Sequence, residues 1–350
     1  MAAVKDVREV SPYRHIIASQ QFSETYLREL FDQADSYRQW DEERLKRKDR
    51  TKFCLNDLRG WNVFVGLYES STRTRTSFTF AAKNLSARVE DSENLGEFSS
   101  VSKGESLEHT VRALGCFCDI LVERFKKEGD AEKAVRVAEQ IEEQTGKKIS
   151  IINAGDGTGQ HPTQALLDVY TIKDHFFKLD NLKIAMIGDL AKGRTVHSLT
   201  YLFSKYSGNE FYFVSHENSQ MPRNILVHLD ENGIKYNITP ELNDVLRIVD
   251  VVYMTRTQKE RFKLPDGSFD EEGFKEACGK YRISNKNIAL MPKQSILMHP
   301  LPIDSIEGKE ILPEVDSNPR AFYFKEMQNG LYVRMAILKL IRDHYGQPTI

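Results

Sequence analysis

The feature that most constrains this chain is a string of hydroxyl residues and arginines at residues 71–78, with the letters STRTRTSF. It comes directly after an apolar run, residues 61–68, whose valine and aromatic content predicts a buried β-strand. The residues from Thr74 onward can continue as a helix, so the hydroxyl groups fall where that helix begins. Unpaired backbone N–H groups and the positive end of the helix dipole make such a junction a site for an anion.

Arg73 adds a planar, two-pronged donor that suits phosphate oxygens. The loop has neither the glycine-rich dinucleotide fingerprint nor the Walker pattern, so we expect a small phosphate ligand rather than a nucleotide. Arg75 lies two residues on, nearly on the opposite helix face, and is expected to pack or pair structurally. Taken alone, a Ser-Thr helix start is more typical of an ordinary capped helix with solvated arginines.

Strand and helix patterns alternate twice along the 350 residues, once before and once after residues 160–168. This order predicts an α/β protein with two doubly wound parallel-sheet domains and a cleft between them, and the length suffices for two cores. Ligands of such sheets bind beyond the carboxyl ends of the strands, where every motif described here falls. We place the boundary between the two domains at residues 162 and 163.

The composition narrows the class of partner. The net charge is −2, with 29% charged and 40% hydrophobic residues, which is typical of globular proteins and predicts no nucleic-acid or membrane partner. Four cysteines are too few for a disulfide scaffold and have no metal-binding spacing; Cys116 and Cys118 are interpreted as packing residues of a strand. The first residues lack a signal-peptide core and no apolar stretch is long enough to span a membrane, so we expect a cytoplasmic protein.

A second motif, residues 153–164 with the letters NAGDGTGQHPTQ, also leads from a predicted strand into a helix. Pro162 suits the first helical position, which places His161 at the helix N-terminus, where the dipole opposes a positively charged imidazolium. A neutral imidazole can donate to a carbonyl oxygen and polarise it, although a single histidine at a helix start is more often structural. Arg124 ends another predicted strand and is either a ligand group or a surface residue.

The second half of the chain repeats this arrangement. Residues 188–198, GDLAKGRTVHS, run from a strand through a loop into a helix and offer an anion site with Arg194 near the helix start. Residues 254–261 follow another strand and supply Arg256 and Gln258. Two arginines from separate strands suit a dicarboxylate, because each can clamp one carboxyl group. The turn at residues 298–302, MHPLP, offers backbone carbonyls to a bound amine or amide.

Together these strings resemble the aspartate and ornithine carbamoyltransferase family over nearly the whole chain, and most closely its aspartate-specific catalytic chains. The segment NGLYVR at residues 329–334 belongs to the same resemblance. Two positions depart from it: Ser70 replaces a usual Pro or Lys, and Ile303 replaces a usual Arg. The resemblance implies transfer of a carbamoyl group from carbamoyl phosphate to L-aspartate, a step of pyrimidine synthesis, with no metal or other cofactor.

The resemblance also implies roles for individual residues. It assigns carbamoyl phosphate to Ser71, Thr72, Arg73, Thr74, Arg124, His161, Gln164, Leu301 and Pro302. It assigns aspartate to Lys103, Arg194, Thr195, Arg256 and Gln258. The catalytic residues of these sets are His161, Arg73, Thr74 and Arg124, which would stabilise the oxyanion and the departing phosphate.

Further implications concern assembly. In the family the loop at residues 91–104 enters the neighbouring subunit's site, so Lys103 and Ser99 would act in trans in a homotrimer with interfacial active sites. Regulatory chains are possible partners. The last helix would pack back on the first domain, giving domains of residues 1–162 plus 328–350 and residues 163–327.

Two alternatives remain open at this point. One is a carbamoyltransferase for another amine such as ornithine, which Arg256 disfavours because it would repel a cationic side chain. The other is a catalytically silent, ligand-binding homologue, suggested by the departures at Ser70 and Ile303.

Overall fold

The computed structural model describes residues 6–50, 53–69, 71–94, 104–264 and 266–345. The chain divides into two compact units, which we call the first unit (Met1–Tyr170 with Gln328–Ile350) and the second unit (Thr171–Met327). Most of the C-terminal helix, from Gln328 onward, therefore belongs to the first unit. The division falls inside the helix Pro162–Phe176, at whose start the sequence places the boundary.

The first unit is built on a four-stranded parallel sheet in the order β2-β1-β3-β4. Its strands are β1 (Asn62–Leu67), β2 (Arg88–Glu93), β3 (Ile120–Phe125) and β4 (Ser150–Asp156). Its helices are α1 (Glu24–Lys46), α2 (Thr72–Asn84), α3 (Leu107–Gly115), α4 (Asp130–Thr145) and the first part of α5 (Pro162–Phe176), with short 3₁₀ turns at Val7–Glu9 and Ser19–Gln21.

The second unit is built on a five-stranded parallel sheet in the order β7-β6-β5-β8-β9. Its strands are β5 (Lys183–Ile187), β6 (Glu210–Val214), β7 (Lys235–Thr239), β8 (Val251–Met254) and β9 (Ile296–Met298). Its helices are α6 (Arg194–Phe203), α7 (Arg223–Glu231), α8 (Leu242–Leu246), α9 (Glu271–Lys280) and α10 (Asn285–Ile288), with 3₁₀ turns at Glu217–Ser219, Lys259–Arg261 and Pro313–Val315. The last helix, α11 (Tyr323–Asp343), begins here and returns to the first unit.

Both sheets reverse their strand order beside a central strand, and this decides where ligands can bind. In the first unit β1 connects to β2 on one side, while β3 lies on its other side; in the second unit β5 stands in the same way between β6 and β8. At such a switch point the connections leave in opposite directions and open a crevice at the carboxyl ends of the two strands. The predicted arginines lie at these crevices: Arg73 and Arg194 follow β1 and β5, and Arg124 and Arg256 stand at the ends of β3 and β8. The predicted ligand residues His161 and Gln164 follow β4 instead, and Leu301 and Pro302 follow β9.

Burial explains which strands were easy to recognise. All seven residues of β4 and all four of β8 are buried, as expected for parallel strands covered on both faces. The edge strand β7, with the letters KYNIT, is largely exposed and has no apolar run. The prediction that Cys116 and Cys118 belong to a strand was wrong, because β3 begins only at Ile120. Cys116 is an exposed residue at the end of α3, and of the two thiols only that of Cys118 is buried. No described helix combines the length and apolarity needed to cross a membrane.

Candidate active site

The start of α2 forms the core of the first half-site. Ser71 is its N-cap residue, yet its side chain makes no capping hydrogen bond and its Oγ instead donates to Thr74 Oγ1 at 3.0 Å. The N–H groups of the first turn are thus not capped by Ser71, which leaves them for an anion. Thr74 is buried, Arg73 is half-buried and Thr72 is exposed, so the turn is accessible from one side.

Two guanidinium groups concentrate positive charge at this switch point. Burial lowers the pKa of Arg73, and the nearby positive charge of Arg124 lowers that pKa further. Arg124 is itself mostly buried, which lowers its pKa, while Glu69 opposes this effect with its Oε2 3.3 Å from Arg124 Nε. Like charges held together in a half-buried space are unfavourable unless an anion joins them. The pair is therefore suited to a phosphate with more than one negative charge.

Arg75 has a structural role, as its position on the opposite helix face predicts. Its Nη1 lies 3.0 Å from Asp91 Oδ1 and its Nε 3.0 Å from Glu93 Oε1, and both carboxylates belong to β2. The two arginines of the string are thus divided between two tasks: Arg75 ties α2 to the neighbouring strand, and Arg73 stays with the helix start.

His161 directly precedes α5 and is buried. Its Nδ1 lies 3.4 Å from Thr163 Oγ1; with the hydroxyl as donor, a neutral ring carries its proton on Nε2, from which it can donate to a ligand oxygen. The preceding loop is closed by Asp156, whose Oδ1 accepts from Gln160 N at 2.6 Å. Burial raises the pKa of Asp156 to about 7, although backbone N–H groups oppose this rise. Sequence reasoning did not assign this loop-closing role to Asp156.

Glu123 precedes Arg124 on β3 and is a fully buried acid. Neither of its carboxyl oxygens has a hydrogen-bond partner among the described residues. Burial raises its pKa from 4.5 to about 8. At neutral pH the folded chain therefore holds a proton here that the unfolded chain releases.

This difference predicts a pH-dependent stability. From pH 4.5 up to about 8, the free energy of unfolding should fall because of Glu123 by about 1.4 kcal/mol per pH unit. Glu123→Gln, which cannot ionise, should remove this contribution, so the variant gains stability relative to the wild type as the pH rises. Urea unfolding at pH 5.5 and 7.5 measures the free energy of unfolding of both proteins. Glu143→Gln, at an exposed position, is the control. A parallel pH dependence of wild type and Glu123→Gln would contradict the prediction.

The second half-site surrounds the ends of β5 and β8. Arg194 is the first residue of α6 and is half-buried, as is Thr195. The loop that leads there needs glycine at Gly188, whose φ is +110° and where a Cβ would lie 2.3 Å from Thr255 O. Asp189 N donates to Arg256 O at 3.3 Å, so the two loops are held together by their backbones.

An ion pair between a half-buried arginine and a buried aspartate fixes the loop that carries Gln258. Arg261 Nε lies 3.0 Å from Asp189 Oδ2, and Arg261 Nη2 donates to Gln258 Oε1 at 3.1 Å. Asp189 is almost fully buried, and the guanidinium supplies the positive charge that its carboxylate needs. Arg261 therefore holds the amide oxygen of Gln258, and this contact does not use the amide nitrogen.

The side chain of Arg256 is half-exposed, and its Nη2 lies 3.6 Å from Asp304 Oδ2. Burial acts to raise the pKa of Asp304, but three backbone N–H groups and Arg256 outweigh it and lower that pKa. Asp304 is thus a fixed anion beside the arginine. The preceding residue, Ile303, packs its apolar side chain against the hydrophobic core of the second unit. The charged group at this point of the chain is therefore the carboxylate of Asp304.

The turn after β9 is held by a network that sequence reasoning missed. Leu301 has a φ of +56° and is joined to Pro302 by a cis peptide bond. The Leu301 N–H donates to His299 Nδ1 at 2.8 Å, so a neutral His299 ring carries its proton on Nε2. That Nε2 lies 3.1 Å from Glu310 Oε1. Glu310 and His299 are both buried, and a His-Pro string gave no signal that its ring would face an acid eleven residues away.

Some predicted site residues cannot be placed. Lys103, Ser99 and Ser70 lie outside the described residues. Within the described ranges, no group of three or more His, Cys, Asp or Glu side chains is arranged to hold a metal ion. The described half-sites define an α/β protein of two units, each with arginines and a helix N-terminus at a switch point.

Comparison with known proteins agrees with this architecture. The family model "Aspartate/ornithine carbamoyltransferase, carbamoyl-P binding domain" matches residues 14–174, and the "Asp/Orn binding domain" model of the same family matches residues 180–341. The chain belongs to the aspartate/ornithine carbamoyltransferase family.

Individual relatives cover nearly the whole chain. The chloroplastic aspartate carbamoyltransferase of Oryza sativa is 41% identical over 93% of this chain and 84% of its own length. The aspartate carbamoyltransferase catalytic subunit of Methanocaldococcus jannaschii is 39% identical over 95% of this chain and 100% of its own. A crystal structure of the Trypanosoma cruzi aspartate transcarbamoylase in complex with carbamoyl phosphate and aspartate is 33% identical, with a TM-score of 0.81 over 96% of this chain and 99% of its own.

Proposed function

We propose that this protein transfers the carbamoyl group of carbamoyl phosphate to the amine of L-aspartate, giving N-carbamoyl-L-aspartate and phosphate. The observation that carries the proposal is the pair of arginine-bearing switch points, Arg73 with Arg124 in the first unit and Arg194 with Arg256 in the second. The first suits a phosphate and the second a dicarboxylate. The relatives named for the same reaction support it.

In the proposed reaction the first unit activates the acyl donor. The N–H groups of the first turn of α2 and Arg73 hold the phosphate, and Thr74, Arg124 and His161 donate to the carbonyl oxygen. Gln164 contacts the carbamoyl amide, to which the turn at Leu301 and Pro302 also offers its backbone carbonyls. These donors stabilise the oxyanion that forms when the amine nitrogen attacks the carbonyl carbon. The bond from carbon to the phosphate oxygen then breaks, and the phosphate leaves with the electron pair and accepts the amine proton.

The second unit selects the amine. Arg194, Thr195 and Arg256 with Gln258 bind the two carboxylates of aspartate, and Lys103 joins them from a neighbouring subunit. Because carbamoyl phosphate is already activated, the reaction needs the amine to be held against the carbonyl rather than a covalent intermediate. An ornithine side chain would place a positive charge beside these arginines, which disfavours an ornithine enzyme.

An assay with both amines tests the proposal. The purified chain should convert carbamoyl phosphate and aspartate into carbamoyl aspartate and phosphate, with no product from ornithine. Product from ornithine alone would establish the alternative carbamoyltransferase. Binding of carbamoyl phosphate without product from either amine would establish a silent homologue.

We further propose that the protein is a cytoplasmic homotrimer in which Ser99 and Lys103 complete the neighbouring subunit's site. The support is the resemblance of the segment at residues 91–104, whose first three residues end β2, to the family's trans-acting loop. Regulatory chains remain possible partners, since a relative is named a catalytic subunit. Light scattering with and without a bisubstrate analogue tests the assembly: a mass other than three times that of the chain would contradict a simple trimer.

A further inference from the structure

The largest fully buried side chain in the described part of the molecule is that of Arg334, on α11. Its Nη1 donates to Ser77 Oγ at 2.7 Å, and its guanidinium lies 5.1 Å from the centre of the Phe78 ring. Burial lowers the pKa of Arg334 to about 10, and the negative charge of Asp168 opposes this effect. The side chain is therefore still charged at neutral pH, at a place where a charge is costly to bury.

The partners of Arg334 occupy equivalent positions on two helices that carry ligand residues. Ser77 lies four residues after Arg73 on α2, and Asp168 lies four residues after Gln164 on α5. Residues four apart lie one turn apart on the same helix face. Asp168 Oδ1 also accepts directly from Gln164 Nε2 at 2.9 Å. A single buried guanidinium thus joins the two helices one turn below their predicted ligand residues.

The packing around this guanidinium leaves little freedom. At Gly330, one turn before Arg334, a Cβ would lie 2.7 Å from Arg334 Nη1 and 3.1 Å from Leu167 Cδ2. The absence of a side chain at Gly330 is thus what admits the guanidinium between α11 and α5. Helices α2, α5 and α11 meet here around one planar group with donors in fixed directions.

We propose that Arg334 is a positioning residue for the carbamoyl phosphate half-site. It holds the start of α2 in register with the His161–Gln164 segment of α5, through Ser77 on one side and Asp168 on the other. The inference rests on the proposed function, because it concerns the geometry of that site. Arg334 does not touch the reacting atoms; it acts through the two helices, and its effect should be confined to the ligand of the first unit.

Arg334→Lys is the first test, since it keeps the charge and removes the planar fork. We expect the Kd for inorganic phosphate, from calorimetric titration, and the KM for carbamoyl phosphate to rise on the order of tenfold. The KM for aspartate should stay near the wild-type value. Gly330→Ala, which changes no charge, should weaken phosphate binding in the same direction by displacing the guanidinium.

Controls separate positioning from general loosening of the helix. Arg342→Lys makes the same change on the same helix eight residues later, where Nη2 lies 3.4 Å from Asp57 Oδ1, and should leave phosphate binding unchanged. Ser77→Ala should weaken phosphate binding, and Ser77→Thr, which restores a hydroxyl, should recover it. If Arg334→Lys does not fold, the phosphate affinities of Ser77→Ala and Ser77→Thr test the positioning role instead.

Each outcome bears on the inference. Unchanged phosphate affinity in folded Arg334→Lys, equal weakening by Arg342→Lys, or no recovery in Ser77→Thr would overturn it. A wild type that binds phosphate but makes no carbamoyl aspartate would overturn the proposed function alone, because the titrations still test the positioning. A wild type that binds no phosphate would overturn both.

Discussion

His161→Ala is expected to lower kcat for carbamoyl transfer on the order of a hundredfold or more, because one donor to the oxyanion is lost. The ring is buried at the start of α5, where an uncharged imidazole can donate to the carbonyl oxygen. The loss should fall on kcat rather than on the binding of phosphate, which Arg73 and the start of α2 provide. Steady-state kinetics and calorimetric titration with phosphate measure the two effects separately.

His15→Ala provides the matched control. His15 is equally buried in the first unit, and its Nδ1 accepts from Ile151 N at 3.1 Å, at the edge of the sheet. Its replacement should lower the free energy of unfolding and leave kcat of the folded protein unchanged. Near-normal turnover in His161→Ala, or an equal loss in both variants, would reject a catalytic role for His161.

Arg256→Met is expected to raise the KM for aspartate on the order of a hundredfold, since a carboxylate of the substrate loses its charged partner. The carboxylate of Asp304, which lies 3.6 Å from the Arg256 guanidinium in the wild type, would then remain without this partner. Its negative charge would repel the carboxylate of the substrate. The KM for carbamoyl phosphate should change little, because Arg256 belongs to the other unit. Initial rates with each substrate varied in turn measure both constants.

Lys259→Met is the control for Arg256→Met. Lys259 lies three residues further on, its side chain is 46% exposed against 48% for Arg256, and its Nζ lies 3.1 Å from Glu307 Oε1. Removing this charge changes the long-range field by the same amount and removes no predicted substrate contact. A KM for aspartate that rises equally in both variants would indicate a general field effect and contradict a clamp by Arg256.

Much of the fold could be predicted because the buried parallel strands are continuous apolar runs. The predicted strand at residues 61–68 corresponds to β1 with a shift of one residue at each end, and the strand predicted to end at Arg124 corresponds to β3, which ends one residue later. The edge strand β7 could not be predicted, since it is short, largely exposed and contains no buried apolar run. Cys116 was misplaced for a related reason: two thiols around an aromatic residue match a strand, but here the helix ends and the chain turns.

The candidate site was predictable where a motif is local. A strand followed by a hydroxyl or glycine loop and a helix is a pattern within about ten residues, so the longer strings at residues 71–78 and 188–198 could be predicted as anion sites. The contacts that orient these groups were not predictable in the same way. Nothing in the letters around Ile303 indicates that its side chain packs into the core and that Asp304 approaches Arg256.

Strand, loop and helix signals act over short distances, so the letters of the chain were enough to predict two parallel α/β units with candidate anion sites at helix starts. Which charged groups lie beside those helix starts depends on long-range contacts that form only in the folded chain. Arg334 and Ser77 are 257 residues apart in the chain. The His299 ring contacts the carboxylate of Glu310, which lies eleven residues further on. Burial leaves each of these groups only the partners that packing brings near, and no local pattern records which partners those are.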